Sequence, residues 1–182
     1  MLPIERRSFF RMLLTAIPTL SLDQLVVAQT QRSGIRVAAN QDRFGNTRSI
    51  GLSSTTFKVA TQDTRNALFM MEQYSTKHGG PPLHLHHDQD EFWYVLDGEY
   101  LIQVGSDRYH AAAGDCVLGP REIPHAWAFV GQSPGKLLVG FTPAARIQEY
   151  FERPRKAGVY VTDAALYHEY GMELLGPPLS IP

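Results

Sequence analysis

Hydrophobic positions between residues 55 and 141 fall in short runs, several of which alternate with polar positions, and clusters of turn residues separate the runs. An alternation with a period of two is typical of β-strands that bury one face. Glycine, proline, serine and aspartate between the runs mark tight connections, and Asp97-Gly98 is the clearest signal for a hairpin. The pattern predicts strands at 55–61, 67–74, 83–86, 91–97, 99–104, 108–111, 115–118, 125–130 and 136–141.

The number and spacing of these strands favour an all-β fold, a double-stranded β-helix or jelly-roll barrel. Beyond the barrel, Ile147, Tyr150 and Phe151 stand at helix-compatible spacing and predict a helix over 144–152, and a second helix is predicted over 163–170. No internal repeat indicates a second barrel. The predicted organisation is a leading segment, a polar linker or arm, the barrel, and a C-terminal helical segment with a tail, at 1–28, 29–54, 55–142 and 143–182.

Composition restricts the classes of protein to which the chain can belong. Its 182 residues are 43% hydrophobic, which is enough to bury one core and too little for two full domains. The 17 basic and 18 acidic residues nearly cancel, and no cluster of Lys and Arg follows the N-terminal segment, which excludes a nucleic-acid-binding footprint. The single cysteine, Cys116, cannot form an intramolecular disulfide, and its apolar neighbours Val117 and Leu118 predict a buried thiol.

The N-terminal segment resembles a twin-arginine export signal. Arg6 and Arg7 precede a moderately apolar stretch at 12–22, and Ala28 ends a site of the kind that signal peptidases cleave. The stretch is too short, and too interrupted by polar residues and Pro18, to span a bilayer. We therefore expect an exported, periplasmic protein. The alternative is an ordinary basic amphipathic helix, which would leave the protein in the cytoplasm.

The segment from His84 to Glu91 carries the strongest chemical signal in the chain. His84 and His86 are two residues apart on a predicted strand, so both side chains point to the same face, and Glu91 can return to them after a short bend. His125 follows in a second segment, and three imidazoles with one carboxylate suit a divalent first-row metal that keeps open positions for a substrate. The alternative is a set of hydrogen-bonded core histidines and an edge-strand ion pair. His87 points to the opposite face and is expected to be solvated.

These residues resemble the paired motifs of the cupin superfamily. The residues that match the first motif are His84, His86, Glu91 and Gly98. The residues that match the second motif are Gly114, Pro120 and His125. The chain departs from the family at 79–80, where the leading glycine is slightly too close to the histidines, and at Glu122 and Phe129, which replace a glycine and an asparagine. The resemblance covers residues 55–142 and implies the jelly-roll fold with a metal held by His84, His86, Glu91 and His125.

Within that superfamily the chain resembles small bacterial cupins related to quercetin 2,3-dioxygenase, and its closing segment at 170–178 is similar to the tail of that group. The resemblance implies an oxygenase, in which one divalent metal ion per chain binds the deprotonated hydroxyl of an enol or flavonol and promotes its reaction with dioxygen. Glu91 would act both as a ligand and as a general base, because an apolar pocket raises the pKa of a carboxyl group. Imidazole and carboxylate ligands accept iron, nickel, manganese, copper, cobalt or zinc, so they do not determine which metal binds.

Strand alternation also predicts what surrounds the metal. If His125 and Glu91 point inward, so do the aromatic residues two and four positions away on their strands, and the strand at 67–74 adds an apolar wall. The predicted pocket residues are Phe69, Met71, Trp93, Trp127 and Phe129, with Leu68 and Met70 as the alternative wall. Such a pocket suits a planar, weakly polar molecule rather than a sugar phosphate. Filling the barrel core is the alternative role of each aromatic side chain.

Other functions and partners remain open at this point. The same barrel and ligands support a non-redox metal-dependent isomerase, decarboxylase or cyclase, and a non-catalytic protein that binds a small ligand needs only the barrel. Cupins commonly form homodimers, so the arm at 29–47 is expected either to contact a second copy of the chain or to form a loose tether. We expect a small-molecule substrate, no nucleic-acid partner and no stable membrane span.

Overall fold

Eleven β-strands form two antiparallel sheets in residues 33–154 and 156–181, the part of the chain that the computed structural model describes. The strands are β1 Arg48–Ile50, β2 Ser53–Val59, β3 Phe69–Ser75, β4 Pro82–His86, β5 Asp90–Asp97, β6 Glu99–Val104, β7 Asp107–Ala112, β8 Cys116–Gly119, β9 His125–Phe129, β10 Gly135–Thr142 and β11 Met172–Pro178. Two short helices, α1 Ile147–Glu152 and α2 Ala164–Glu169, follow β10. All of these elements belong to one compact unit, residues 36–182.

Residues 33–35 belong to a separate unit and have no regular secondary structure. The expected export signal at 1–28 lies outside the described residues. Among the residues described, no helix has both the length and the apolar content needed to cross a membrane.

The two sheets bury a common hydrophobic core. One sheet has six strands in the order β1-β2-β3-β10-β5-β8, and the other has five in the order β11-β4-β9-β6-β7. Large side chains from both sheets are fully buried between them, among them Phe57, Trp93, Tyr100, Ile102 and Leu137. The prediction of an all-β jelly-roll with short C-terminal helices is confirmed, because two facing antiparallel sheets of short strands define this barrel.

Each predicted strand overlaps an observed one, and two observed strands were not predicted. β1 has only three residues and lies within the segment expected to be a linker. β11 ends in Gly-Pro-Pro, a composition that normally argues against a strand, yet it pairs along β4 at the edge of the five-stranded sheet. The sheets therefore extend beyond the predicted limits of 55 and 142 on both sides.

The hairpin predicted at Asp97-Gly98 is wrong. β5 pairs with β10 and β8, whereas β6 pairs with β7 and β9, so Gly98 turns the chain from one sheet into the other. Its φ of 81° is in the left-handed region, and a Cβ at this position would lie 2.7 Å from the Cα of Gly135. Asp97-Gly98 does form a tight turn, but this turn connects the two sheets. A hairpin follows at 105–106, where β6 and β7 pair with each other.

The thiol of Cys116 is exposed, contrary to the expectation of a buried cysteine. β8 is the edge strand of the six-stranded sheet, and only Gly119 of its residues is buried. Leu118, two residues along on the same face, is 57% exposed. The apolar run around Cys116 therefore forms an outer surface rather than a core strand.

Asp42 fastens the polar segment before β1 to the barrel. Its buried carboxylate accepts hydrogen bonds from the backbone N–H groups of Phe44, Asn46 and Phe57 and pairs with Arg48 at 2.7 Å. Burial raises the pKa of Asp42, but the three N–H groups and the charge of Arg48 outweigh it and hold the pKa below its usual value. This part of the expected arm is therefore packed against β2.

Candidate metal centre

Three histidines and one glutamate converge inside the barrel. Nε2 of His86 and Nε2 of His125 each lie 3.2 Å from Oε2 of Glu91, and Nε2 of His84 lies 3.9 Å from the same oxygen. One ligand atom from each side chain falls within 4.8 Å of all the others, and all four residues are buried. The structure thus brings together the four predicted ligands, which we call the His/Glu cluster: His84, His86, Glu91 and His125.

The cluster is built from both sheets. His84 and His86 point inward from β4, and His84 stands directly opposite His125 of the neighbouring strand β9. Glu91 comes from β5 in the six-stranded sheet, on the far side of the barrel interior. The period-two geometry of β4 places both of its imidazoles on one face, and the turn after β4 carries the chain across to Glu91.

The second nitrogen of each imidazole is held by an oxygen acceptor. Nδ1 of His84 lies 2.8 Å from the carbonyl oxygen of Pro82, and Nδ1 of His125 lies 2.9 Å from that of Ile123. Nδ1 of His86 lies 3.0 Å from Oε1 of a buried glutamine, Gln89. Each Nδ1 therefore carries its proton, which leaves the Nε2 lone pairs directed at the centre of the cluster.

This donor set fits a divalent cation. Within the described residues, Nε2 of His86 has no hydrogen-bond partner although it is fully buried. Burial, together with the neighbouring His125 and His86, lowers the pKa of His84 to about 3, so this imidazole is neutral near physiological pH. The lone pairs of the imidazole nitrogens and the carboxylate of Glu91 repel one another unless a cation lies between them. Imidazole and carboxylate ligands suit first-row metals. The His/Glu cluster is therefore able to hold a metal ion.

The pKa of Glu91 differs from the sequence-based expectation. Burial does raise it, as expected for an apolar pocket, but the imidazoles of His125 and His86 outweigh burial and lower it below the usual value. Glu91 is therefore ionised, which suits a metal ligand.

Gln89 was missed by sequence reasoning. Its side chain is 1% exposed, and its amide nitrogen donates to the backbone carbonyls of Pro143 and Ala144 while its oxygen faces His86. His87, its neighbour two positions earlier, is half-buried and faces Glu122 at 3.2 Å, outside the cluster, as expected. The only sequence signal for Gln89 is its place between two histidines and Glu91, where an aspartate-rich turn predicts solvent exposure.

A narrow cavity opens beside the His/Glu cluster. It contains about 480 Å³ of space that no atom fills, part of which is open to solvent. None of the described residues that line it is a lysine or an arginine. Its walls combine cluster residues, aromatic side chains from β9, β10 and both helices, and a polar side chain from β3; they include Met71, Gln73, Glu91, Trp127, Phe141, Tyr150 and Tyr167. Apart from the His/Glu cluster, the described lining has no charged side chain and is largely aromatic, which suits a small organic molecule.

The five predicted pocket residues divide into two groups. All five are buried in the core, but Met71 and Trp127 also line the cavity, whereas Phe69, Trp93 and Phe129 are not among its lining residues. Phe69 packs edge-on against Phe57 with 4.8 Å between ring centroids, and Trp93 lies 5.3 Å from His125, behind the cluster. Phe129 packs against Tyr100 at 5.4 Å. Alternation identified inward-facing side chains, and the two sheets together decide which of them border empty space.

Comparison with known proteins agrees with this architecture. Residues 71–141 match the family described as a cupin domain, and this stretch contains the whole His/Glu cluster. An uncharacterised protein of Methanocaldococcus jannaschii is 30% identical over 56 residues, which is 31% of this chain and 45% of that protein. The match thus spans less than half the length of that curated relative.

Two solved structures share the fold. An RmlC-like cupin from Shewanella frigidimarina has a TM-score of 0.51 and 21% identity, over 65% of this chain and 98% of that one. The polyketide cyclase RemF from Streptomyces resistomycificus has a TM-score of 0.51 and 18% identity, over 75% of this chain and 93% of that one. The two-sheet barrel around the His/Glu cluster therefore has the fold of these cupins, and residues 71–141 within it match the cupin-domain family.

Proposed function

We propose that the protein is a metal-dependent dioxygenase that cleaves an aromatic or enolic small molecule of the flavonol type. The observation that carries the proposal is that His84, His86 and Glu91 form part of the wall of a cavity whose other described lining residues are uncharged and largely aromatic. A planar molecule in that cavity meets the ligands directly. The tail that resembles quercetin 2,3-dioxygenase-like cupins supports the proposal, because it forms β11, which pairs with the strand that carries His84 and His86.

The described residues have separate roles in this proposal. A divalent metal held by the His/Glu cluster would supply Lewis acidity toward a substrate hydroxyl and, if redox-active, electron transfer to dioxygen. The carboxylate of Glu91, which lies in the cavity wall beside the substrate, accepts the proton that the hydroxyl loses. The neutral imidazole of His84 remains a lone-pair donor. Trp127 and Phe141 orient the rings of the substrate and exclude water from its reacting face.

The test is oxygen uptake by the full chain. The protein is loaded separately with iron, nickel, manganese, copper, cobalt and zinc and supplied with a panel of flavonols and catechols. We expect oxygen consumption and a ring-cleaved product with at least one redox-active metal, and a loss of about 100-fold or more in Glu91→Gln. The variant His87→Ala, which changes the neighbouring outward-facing histidine, is the matched control and should keep its activity.

Two results would overturn the proposal. Turnover of the same compounds without oxygen, sustained by zinc, would indicate a non-redox isomerase, decarboxylase or cyclase. Binding of the compounds without any turnover, unchanged in Glu91→Gln, would indicate a ligand-binding protein.

A further inference from the structure

The side chain of Gln73 is buried in the cavity wall without the partners that an amide normally has. It is 3% exposed, projects from β3 and lines the cavity two residues from Met71. Within the described residues its Oε1 has no hydrogen-bond partner, and its amide nitrogen has only a 4.0 Å contact with the sulfur of Met71. A buried amide left in this state costs free energy unless a ligand satisfies it.

A second unpaired group lies beside the first. Thr55 of β2 stands directly opposite Gln73 across the strand pair, is 0% exposed, and its Oγ1 also lacks a partner among the described residues. The neighbouring cross-strand pair on the same face of the sheet is Phe57 and Met71, so a polar pair lies next to an apolar pair. The two unpaired groups of β2 and β3 therefore lie together, next to the apolar side chains of Phe57 and Met71.

The sheet register gives the distance from this place to the metal centre. Glu91 pairs with Phe141 of β10, and Phe141 pairs with Phe69 of β3, so these residues are level with one another across the sheet. Gln73 lies four residues further along β3, about 13 Å at the rise of a strand, and two strands across from Glu91, about 10 Å. The two backbone positions are therefore about 16 Å apart. Both side chains line the same cavity, so an elongated molecule of two or three rings that lies along it has one end near each side chain.

We propose that Gln73 determines substrate specificity by hydrogen bonding to a hydroxyl group on the ring of the substrate that is remote from the metal centre. The inference rests on the proposed function, because the same cavity and the same molecule are involved. A phenolic hydroxyl donates to the unpaired Oε1 of the amide, and it carries no charge that the cavity would have to neutralise. The substrate class is thus a neutral flavonol with hydroxyl groups on its distal ring, rather than a carboxylated or phosphorylated compound.

The experiment measures binding without turnover. The full chain is loaded with zinc, which has no redox chemistry, and titrated in a calorimeter with two flavonols, one with two hydroxyls on the distal ring and one with none. We expect the hydroxylated compound to bind the native protein about tenfold more tightly than the other. In Gln73→Leu the ratio of the two dissociation constants falls to about one. The exposed glutamine variant Gln62→Leu should keep the native ratio.

Thermal unfolding of the ligand-free protein is the second measurement. Because the amide of Gln73 is unpaired, Gln73→Leu should unfold at the same temperature as the native protein or at a higher one. A lower midpoint would mean that the amide has a structural role and would overturn the inference. Equal affinity of the native protein for both flavonols would overturn the inference and leave the proposed function standing, whereas binding of neither compound would overturn both.

Discussion

Oε1 of Gln89 lies 3.0 Å from Nδ1 of His86, and the same amide donates through its nitrogen to the backbone carbonyls of Pro143 and Ala144. One buried side chain thus connects a predicted metal ligand with the segment that leads into α1. The contact fixes the protonated nitrogen and the ring orientation of His86, which a metal ligand needs before the metal binds.

We predict that Gln89→Leu weakens metal binding by about 10- to 100-fold, because His86 loses the acceptor that orients it. The measurement is a competition titration of the purified protein with a chromogenic chelator. Gln62→Leu, at an exposed position, is the control and should bind metal as the native protein does. Unchanged affinity in Gln89→Leu would show that Pro143 and Ala144, rather than the metal centre, account for the buried amide.

We predict that His86→Ala abolishes stoichiometric metal binding, whereas His87→Ala leaves it intact. The two residues are adjacent, but Nε2 of His86 points into the cluster and Nδ1 of His87 faces the exposed side chain of Glu122. Elemental analysis of the gently purified proteins measures the difference. Equal metal content in the two variants would place the metal outside the His/Glu cluster.

Stability should depend on pH through Asp42. Its pKa is below the ordinary value of 3.8 in the folded protein, so its contribution is fully present above that value and is lost as the pH falls through the folded pKa. Asp42→Asn should lower the free energy of unfolding at neutral pH by about 2 kcal/mol, because the charged acceptor of three backbone N–H groups is lost.

Urea unfolding at a series of pH values, from neutral pH to below the ordinary pKa of the carboxyl group, measures this dependence. The difference in the free energy of unfolding between the native protein and Asp42→Asn should shrink below that pKa. The exposed aspartate variant Asp107→Asn is the control and should follow the native curve. A constant difference at all pH values would contradict the assignment to ionised Asp42.

Two glycines with left-handed backbone provide a matched pair that tests the corner between the sheets. Gly114 has a φ of 98° and open space where the methyl group of an alanine would lie, so Gly114→Ala should cost only the backbone strain, about 1 kcal/mol. Gly98→Ala adds a clash with the backbone of Gly135 to the same strain and should cost about 3 kcal/mol or more. Chemical denaturation measures both. Equal losses would mean that the corner shifts to accommodate the methyl group.

The metal-centre residues could be predicted because strand geometry and ligand chemistry agree at His84, His86 and Glu91, and a second segment supplies His125. Gln89 could not be predicted, because its burial depends on Pro143 and Ala144, which are more than fifty positions away in the sequence. Local patterns carry no information about such a contact.

The fold shows the same division between local and distant information. Alternation located β4, β5 and β9, yet β11 could not be recognised from Gly-Pro-Pro, because its pairing with β4 depends on the edge of a sheet that forms elsewhere. The observed cavity wall differs from the predicted set of pocket residues for a related reason. Phe69, Trp93 and Met71 all face inward, and only the arrangement of both sheets and the two helices leaves empty space next to Met71 and none next to the other two.

The position of the His/Glu cluster between the two sheets has a thermodynamic consequence. Glu91 belongs to one sheet and the three histidines to the other, so a bound cation would cross-link the two sheets, and the unfolded chain cannot form this site. At a free metal concentration 100 times the dissociation constant, metal binding raises the free energy of unfolding by about 2.7 kcal/mol. By the same linkage, a substitution that loosens the contact between the sheets lowers metal affinity without touching a ligand, so occupancy of the centre reports on closure of the barrel.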